Sequence, residues 1–120
     1  MSTAPSILTS TRDGICTITL NRPSVFNSFD QAMGRAFQKA LGAAASDDSV
    51  RCVVITGSGK AFCAGGDIEA WASESPEAFG RHWLRDGHAA FDALARLRQP
   101  VIAVLDGHAL GGGLELAACA

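Results

Sequence analysis

The sequence has no excess of basic residues. Ten lysines and arginines stand against twelve aspartates and glutamates, and the formal net charge is -2. Proteins that bind nucleic acid usually carry a basic patch or stripe on one face. The charge balance therefore predicts no nucleic-acid partner.

Long apolar runs are also missing. A helix that spans a bilayer needs about 20 consecutive apolar residues, and no run in this chain approaches that length. Residues 1–10 lack the charged start and the apolar centre of a signal peptide. From these two absences we expect a cytoplasmic protein that does not enter a membrane.

Residue patterns typical of metal and nucleotide sites are absent as well. The four cysteines form no C-x-x-C pair and the three histidines are dispersed, so no metal site is predicted. Residues 57–60 suggest a phosphate loop, but Val54 stands where that motif needs glycine and Ala61 where it needs Ser or Thr. Phe62 occupies the third glycine position of the dinucleotide fingerprint. We therefore expect neither ATP nor NAD.

The chain does contain strands and helices in alternation. Asp13-Gly14 lies between two alternating apolar runs, which predicts a β-hairpin. Apolar residues at helical spacing predict a helix over 29–45, with Ser28 at the capping position. A buried strand over 51–56 follows, and a helix between two strands favours a β-α-β crossover. No linker or repeat divides the chain.

The second half repeats this alternation. Ser75 and Pro76 predict a helix start, and an apolar stripe extends that helix to about residue 97. The continuous apolar run Val101–Leu105 then predicts a strand that is buried on both faces. An apolar helix begins near Leu114, and the sequence contains no cap or proline that closes it.

Two of the predicted strands lead into glycine-rich turns. The strand at 51–56 is followed by 57–68, and the strand at 101–105 by Gly111–Gly113. Glycine lets a ligand approach the main chain closely, and a helix N-terminus adds partial positive charge. Tight turns that only pack against a strand are the alternative interpretation.

Three segments together resemble the crotonase family of enoyl-CoA hydratases and isomerases. They are L-N-R-P-S-V-F-N-S-F at 20–29, G-K-A-F-C-A-G-G-D-I at 59–68 and P-V-I-A-V-L-D-G-H-A-L-G-G-G-L-E-L-A at 100–117. They occur in the family's order. The resemblance implies an α/β fold, the crotonase-like spiral of β-β-α units. Residues 1–120 would be the N-terminal part of one such domain, since domains of that family are longer and this chain stops inside a helix.

The resemblance also implies roles for single residues. The amides of Gly66 and Gly112 would form an oxyanion hole for the thioester carbonyl, and Glu115 would act as an acid or base. A carboxylate that only complements the helix dipole, worth about 0.3–1 kcal/mol, is the alternative for Glu115. Many relatives carry alanine at the position of Gly66, and we expect that exchange to be mild. Implied substrate contacts are Val25, Phe26, Ala64, Gly65, Gly66, Asp67, Ile68 and Gly112.

The implied activity is that of an enoyl-CoA hydratase in fatty-acid β-oxidation. Its substrate would bring CoA with it, no other cofactor would be needed, and the parent protein would be a homotrimer or hexamer. Arg22 and Lys60 could meet the CoA phosphates or be solvated. The family's second catalytic position would fall beyond residue 120, so isomerase, CoA-ester hydrolase and dehalogenase activities stay open. A non-catalytic acyl-CoA-binding relative and a fragment without a stable fold are the remaining alternatives.

Overall fold

The computed structural model describes residues 4–120, so the first three residues of the segment at 1–10 lie outside it. The strands are β1 (Ile7–Arg12), β2 (Ile15–Leu20), β3 (Cys52–Gly57), β4 (Ala61–Cys63), β5 (Val101–Ala103) and β6 (His108–Ala109). The helices are α1 (Gln31–Ser46), α2 (Ile68–Ala72), α3 (Pro76–Ala78), α4 (Asp86–Ala95) and α5 (Gly112–Ala118). A 3-10 turn covers Pro23–Val25 and a π-helical segment covers Phe79–Arg85. In chain order the elements form three successive β-β-α units, which confirms the α/β spiral.

The main sheet has four strands in the order β1-β2-β3-β5. β1 and β2 form the predicted hairpin, with Arg12 opposite Ile15. Both turn residues have positive φ, 54° at Asp13 and 82° at Gly14, as a tight two-residue hairpin turn requires. β2, β3 and β5 run parallel. The β2-α1-β3 crossover is therefore confirmed, and β4 and β6 form a second, smaller parallel sheet.

The core lies between the main sheet and helices α1 and α4. Alternate residues of β2 and β3 point into it, and α1 and α4 each contribute one apolar face. This is the pattern that period-2 strands and period-3.6 helices produce when each buries one side. Among the fully buried side chains are Ile18, Leu20, Phe37, Leu41, Val53, Ile55 and Leu94.

The start of α1 corrects one prediction. Asp30, and not Ser28, is the N-cap, and its side chain accepts a hydrogen bond of 2.8 Å from the Met33 N–H. An aspartate at this position satisfies an otherwise free N–H of the first turn. The predicted cap at Ser75 is confirmed, because its Oγ accepts from the Ala78 N–H at 3.1 Å.

Two predicted elements differ from the structure. The single helix expected from residue 76 to about 97 consists of α3, the π-helical segment and α4. The strand predicted over Val101–Leu105 ends at Ala103, and Ile102, Val104 and Leu105 are 53%, 45% and 46% exposed. The prediction of burial on both faces was wrong because, among the described residues, no element covers the face of β5 that carries Ile102, and β5 is also the edge strand of the main sheet. Within residues 4–120, no helix has the length and apolar character needed to cross a membrane.

Candidate active site

The pairing of β4 with β6 brings the two glycine turns together. Cys63 lies beside Ala109 in the parallel register, and the Leu110 N–H donates to the Cys63 carbonyl at 3.0 Å. The chain leaves both strands on the same side of this small sheet. A Cβ at Gly65, whose φ is 115°, would lie 3.3 Å from the nitrogen of Gly112. The turns therefore touch through their main chains, and glycine at position 65 permits that approach.

Several amides around these turns are engaged in hydrogen bonds, whereas those of Gly65, Gly66, Gly111 and Gly112 have no hydrogen-bond partner among the described residues. The Asp67 N–H donates to the Phe29 carbonyl, and the Gly113 N–H donates to the Leu110 carbonyl, both at 2.8 Å. Within residues 4–120, no hydrogen bond uses the N–H of Gly66 or of Gly112. Gly112 is also the first residue of α5, where main-chain N–H groups have no partner inside the helix. Free main-chain donors thus lie on both of these adjacent turns.

Both glycines line one cavity of about 330 Å³. This volume is within the range of small-molecule sites. Glu115, in the first turn of α5, lines the same cavity and is exposed. Opposite walls come from α1, α4 and the π-helical segment, with Phe29 and Phe91 among the apolar side chains. The cavity therefore brings together Gly65, Gly66, Gly112 and Glu115 from the predicted site.

The remaining predicted contacts lie outside this cavity. The Phe26 carbonyl accepts from the Ala64 N–H at 2.9 Å, so the two predicted segments adjoin each other. Asp67 caps α2, with its carboxylate accepting from the N–H groups of Glu69 and Ala70. The exposed members of this set are Val25, Phe26, Ala64 and Ile68.

Arg22 is engaged within the protein. Its guanidinium donates to the Ser28 carbonyl at 2.7 Å and lies 3.3 Å from the Asp67 carboxylate and 3.7 Å from that of Asp30. These contacts join the loop after β2 to the starts of α1 and α2. Lys60 is exposed. Arg22 therefore stabilises the fold through contacts within the chain, whereas the Lys60 side chain lies in solvent.

Asn27 is a buried residue that sequence reasoning missed. Its side-chain amide donates to the carbonyls of Ser58 and Ala61 at 2.8 and 2.9 Å, and its Oδ1 accepts from the Arg22 N–H at 2.8 Å. Its φ of 60° belongs to the left-handed region that asparagine tolerates. Asn27 thus fixes the turn between β3 and β4, which leads into Gly65 and Gly66. A single asparagine in a loop carries no periodic pattern that could reveal this.

Cys63, at the end of β4, is fully buried. Burial raises the pKa of its thiol above the ordinary value of 9.0 because a thiolate is poorly solvated there. The thiol donates to the Asn27 carbonyl at 3.2 Å. Cys63 is therefore a packing residue beside the turn.

Within residues 4–120, no group of His, Cys, Asp and Glu side chains is placed to hold a metal ion.

Gly66 corrects a further expectation. A Cβ at this position would overlap the indole ring of Trp71, whose Cε2 would lie 2.7 Å away. The exchange between glycine and alanine is therefore not mild in this chain. Trp71 occupies the space that an alanine side chain would need. The sequence offers no sign of this contact, because Trp71 is five residues away on α2.

Residues 10–120 match the family described as enoyl-CoA hydratase/isomerase. The chain belongs to this family. It is 36% identical over 113 residues, 88% of its length, to mevalonyl-coenzyme A hydratase of Beauveria bassiana. It is also 36% identical over 115 residues, 92% of its length, to 1,2-epoxyphenylacetyl-CoA isomerase of Escherichia coli. These alignments span 40% and 44% of the two relatives.

Solved structures of the family agree with the fold. The chain superimposes on enoyl-CoA hydratase from Bacillus anthracis with a TM-score of 0.91 at 34% identity, over 96% of this chain and 45% of that one. An enoyl-CoA hydratase/isomerase from Xanthobacter autotrophicus gives a TM-score of 0.90 at 34% identity, over 98% and 44%. The chain thus spans less than half the length of each of these four relatives.

Proposed function

We propose that this chain carries the oxyanion donors and one acid/base group of an enoyl-CoA hydratase, which adds water to the 2,3-double bond of an enoyl-CoA. The observation that supports this most is the pair of unused amides at Gly66 and Gly112 on one cavity. Two fixed donors suit a thioester carbonyl, because its oxygen gains negative charge as the reaction proceeds.

The oxyanion step follows from this placement. As the water oxygen bonds to C3, the electron pair of the double bond moves towards the thioester and its carbonyl oxygen becomes an enolate oxygen. The N–H groups of Gly66 and Gly112 stabilise that oxygen. A proton then goes to C2 and the carbonyl reforms. Removing one such donor typically raises the barrier by about 3 kcal/mol.

Glu115 is the group that handles the proton of water in this proposal. It lies one helical turn from Gly112 and opens onto the same cavity. A carboxylate there can accept a hydrogen bond from water and take its proton as the C3–O bond forms. The exposed position keeps the carboxylate within reach of a water molecule.

An isomerase is the second candidate. The identity to the Escherichia coli isomerase, 36%, equals that to the Beauveria bassiana hydratase. By its name the Escherichia coli relative isomerises an epoxide of an acyl-CoA. A double-bond isomerase, which the family resemblance leaves open, would need the same stabilised enolate, with a proton removed and returned at carbon in place of water addition. A hydrolase, a dehalogenase or a binding protein would use the same two donors. Product analysis separates these cases, because only hydration gives a 3-hydroxyacyl-CoA.

The wider setting is also a proposal. We propose an acyl-CoA substrate, no cofactor beyond the CoA that it carries, and a role in fatty-acid β-oxidation in the cytoplasm. A homotrimer or hexamer is the proposed assembly. The family membership and the names of the hydratase relatives support the acyl-CoA substrate. The assembly rests on the resemblance and is tested by the mass of the full-length protein in solution.

The test is Glu115→Gln in the full-length protein. We expect turnover of a short enoyl-CoA to fall by about 10²–10⁴ while acyl-CoA binding stays close to wild type. Glu69→Gln is the matched control, because Glu69 is an exposed acid in the first turn of α2 and should serve only the helix dipole. If both variants turn over substrate at the wild-type rate, the Glu115 carboxylate only complements the dipole of α5, as Glu69 does for α2.

A further inference from the structure

Aromatic rings from four segments of the chain line the cavity of Gly66 and Gly112. The chain has six phenylalanines, two tryptophans and no tyrosine. Four of these aromatic side chains line the cavity, namely Phe29, Trp71, Trp83 and Phe91. Phe29 precedes α1, Trp71 belongs to α2, Trp83 to the π-helical segment and Phe91 to α4. Residues far apart in the chain thus bring rings to one space.

The two tryptophans present ring carbon, and not their N–H groups, to this cavity. Both indole nitrogens are buried, whereas Trp71 and Trp83 as whole residues are only partly buried. The side-chain surface that they leave accessible is therefore carbon. Phenylalanine has no polar side-chain atom, so all four rings form an apolar lining. A ligand that meets these rings is stabilised by apolar contact and by the geometry of ring pairs.

Three of the four rings are held in place by other rings. Trp71 and Trp83 meet edge to face, with centroids 5.5 Å apart and an interplanar angle of 76°. Phe79 meets Trp71 in the same geometry, at 5.5 Å. Phe29 meets the fully buried Phe37 at 5.8 Å and 90°. The lining is therefore fixed before a ligand enters, which reduces the ordering that binding requires.

The aromatic lining begins beside the proposed oxyanion hole. Cε2 of Trp71 lies 2.7 Å from the position that a Cβ at Gly66 would take. The free N–H of Gly66 and the Trp71 ring are thus neighbours on the same cavity. A thioester held by Gly66 has this ring next to it, and the cavity volume of about 330 Å³ has room for a further ring.

We propose that the acyl group taken up by this cavity ends in an aromatic ring. A ring can pack offset or edge to face against the lining rings and is stabilised beyond its apolar area, whereas an alkyl chain contributes only its area. The protein then prefers aryl-substituted acyl-CoA thioesters over alkyl thioesters, and Trp83 and Phe91 are among its specificity-determining residues. This inference rests on the proposed function, because it takes the cavity as the acyl site.

The experiment measures the affinity of the full-length protein for three saturated thioesters by titration calorimetry. They are 3-phenylpropanoyl-CoA, 3-cyclohexylpropanoyl-CoA and nonanoyl-CoA, whose acyl groups have the same number of carbon atoms. The first two differ only in the aromaticity of the ring. Wild type should bind the phenyl thioester about three- to tenfold more tightly than the other two, the size expected for aromatic pairs beyond their buried area.

Substitutions in the lining test whether its rings cause this preference. Trp83→Leu and Phe91→Leu should each bring the ratio of phenyl to cyclohexyl affinity closer to one. Trp71 is left unchanged, because its ring packs against Gly66. Leu84→Ala is the matched control, since Leu84 lines the same cavity with an aliphatic side chain that is 49% exposed. It should weaken the phenyl and cyclohexyl thioesters by the same factor.

A second measurement needs no substitution. The ring protons of bound 3-phenylpropanoyl-CoA should show nuclear Overhauser effects to carbon-bound indole protons of Trp71 or Trp83. Equal affinities in wild type, a preference that survives both leucine variants, or the absence of these effects would overturn the inference while the hydratase proposal stands. If no thioester binds and Glu115→Gln behaves as wild type, the proposed function fails and the specificity inference fails with it.

Discussion

The absence of a side chain at Gly66 leaves the space in which the indole ring of Trp71 packs. Glycine at position 66 leaves its amide free for a ligand, and the space beside its Cα is filled by the indole. The two residues therefore depend on each other. A change at either one acts on the Gly66 main chain and on the Trp71 ring together.

Gly66→Ala should destabilise the protein by about 1–3 kcal/mol, because the added methyl group overlaps the Trp71 ring and forces it to move. Gly42→Ala is the control. Gly42 is an exposed residue of α1 with nothing within 4 Å of a Cβ, so alanine there should stabilise the helix by about 0.5–1 kcal/mol. Urea unfolding measures both changes. A Gly66→Ala protein as stable as wild type would mean that the ring moves freely.

Cys63 makes a prediction about alkaline pH. Burial raises the pKa of its thiol above 9.0, so the native state holds the proton more tightly than the unfolded state. The resulting stability is complete below the ordinary pKa and is lost as the pH rises through the higher native value. The free energy of unfolding should therefore fall more steeply above pH 9.0 in wild type than in Cys63→Ser. Cys52→Ser, at a partly exposed thiol of β3, is the control for replacing a cysteine elsewhere in the fold.

At the scale of elements, the start of α1 depends on one carboxylate. Asp30→Ala should lower the free energy of unfolding by about 1 kcal/mol, because the Met33 N–H loses its acceptor. Asp30→Asn should retain most of the stability, since the amide oxygen can still cap the helix. Ser28→Ala should cost less than Asp30→Ala, because Ser28 does not cap. If chemical unfolding shows that Ser28→Ala costs more stability than Asp30→Ala, Ser28 is the cap of α1, as the sequence predicts.

Local patterns explain which elements the sequence could predict. The Asp13-Gly14 hairpin and the Ser75 cap depend on residues close in the chain, and both are confirmed. The break of the long helix into α3, a π-helical segment and α4 was missed, because the apolar stripe continues across it. Asn27 was missed because its acceptors lie more than 30 residues away. Such contacts appear only when the chain is folded.

The residues of the candidate site also fall into those that the sequence could predict and those that it could not. Glycine turns after strands directed attention to two segments, and the resemblance to the crotonase family implied roles for Gly66, Gly112 and Glu115. The structure places all three residues on one cavity. The place of Trp71 and Trp83 in the cavity lining was missed, since a tryptophan in a helix is expected to serve the core. Their unpaired N–H groups become visible only once burial and hydrogen bonds are known.

At the scale of the whole molecule, the three β-β-α units share their strands between two sheets. The first strands of the second and third units, β3 and β5, extend the main sheet, while their second strands, β4 and β6, pair in the small one. This arrangement is what places residues 64–67 beside residues 110–112. The site therefore depends on the repetition of the unit, since a single unit supplies only one of the two turns.

The last prediction concerns the 120-residue chain expressed alone. Several large apolar side chains are more than 40% exposed along β5 and around α5, namely Ile102, Val104, Leu105, Leu110 and Leu114. Exposed apolar patches of this kind favour association. The chain also spans only 40% of the Beauveria bassiana hydratase and 44% of the Escherichia coli isomerase, and the second catalytic position that the family resemblance implies would fall beyond residue 120. We expect residues 1–120 alone to self-associate and to lack hydratase turnover.

Sedimentation velocity and an enoyl-CoA hydration assay, run beside the full-length protein, measure the two parts of this expectation. Val104→Asp and Leu110→Ser together should lower the sedimentation coefficient of the isolated chain, because each removes an exposed apolar group. Thr56→Ser is the control, at a partly buried residue of β3. A monomeric chain with the turnover of the full-length protein would show that Gly66, Gly112 and Glu115 suffice for hydration, since no further carboxylate would then be needed.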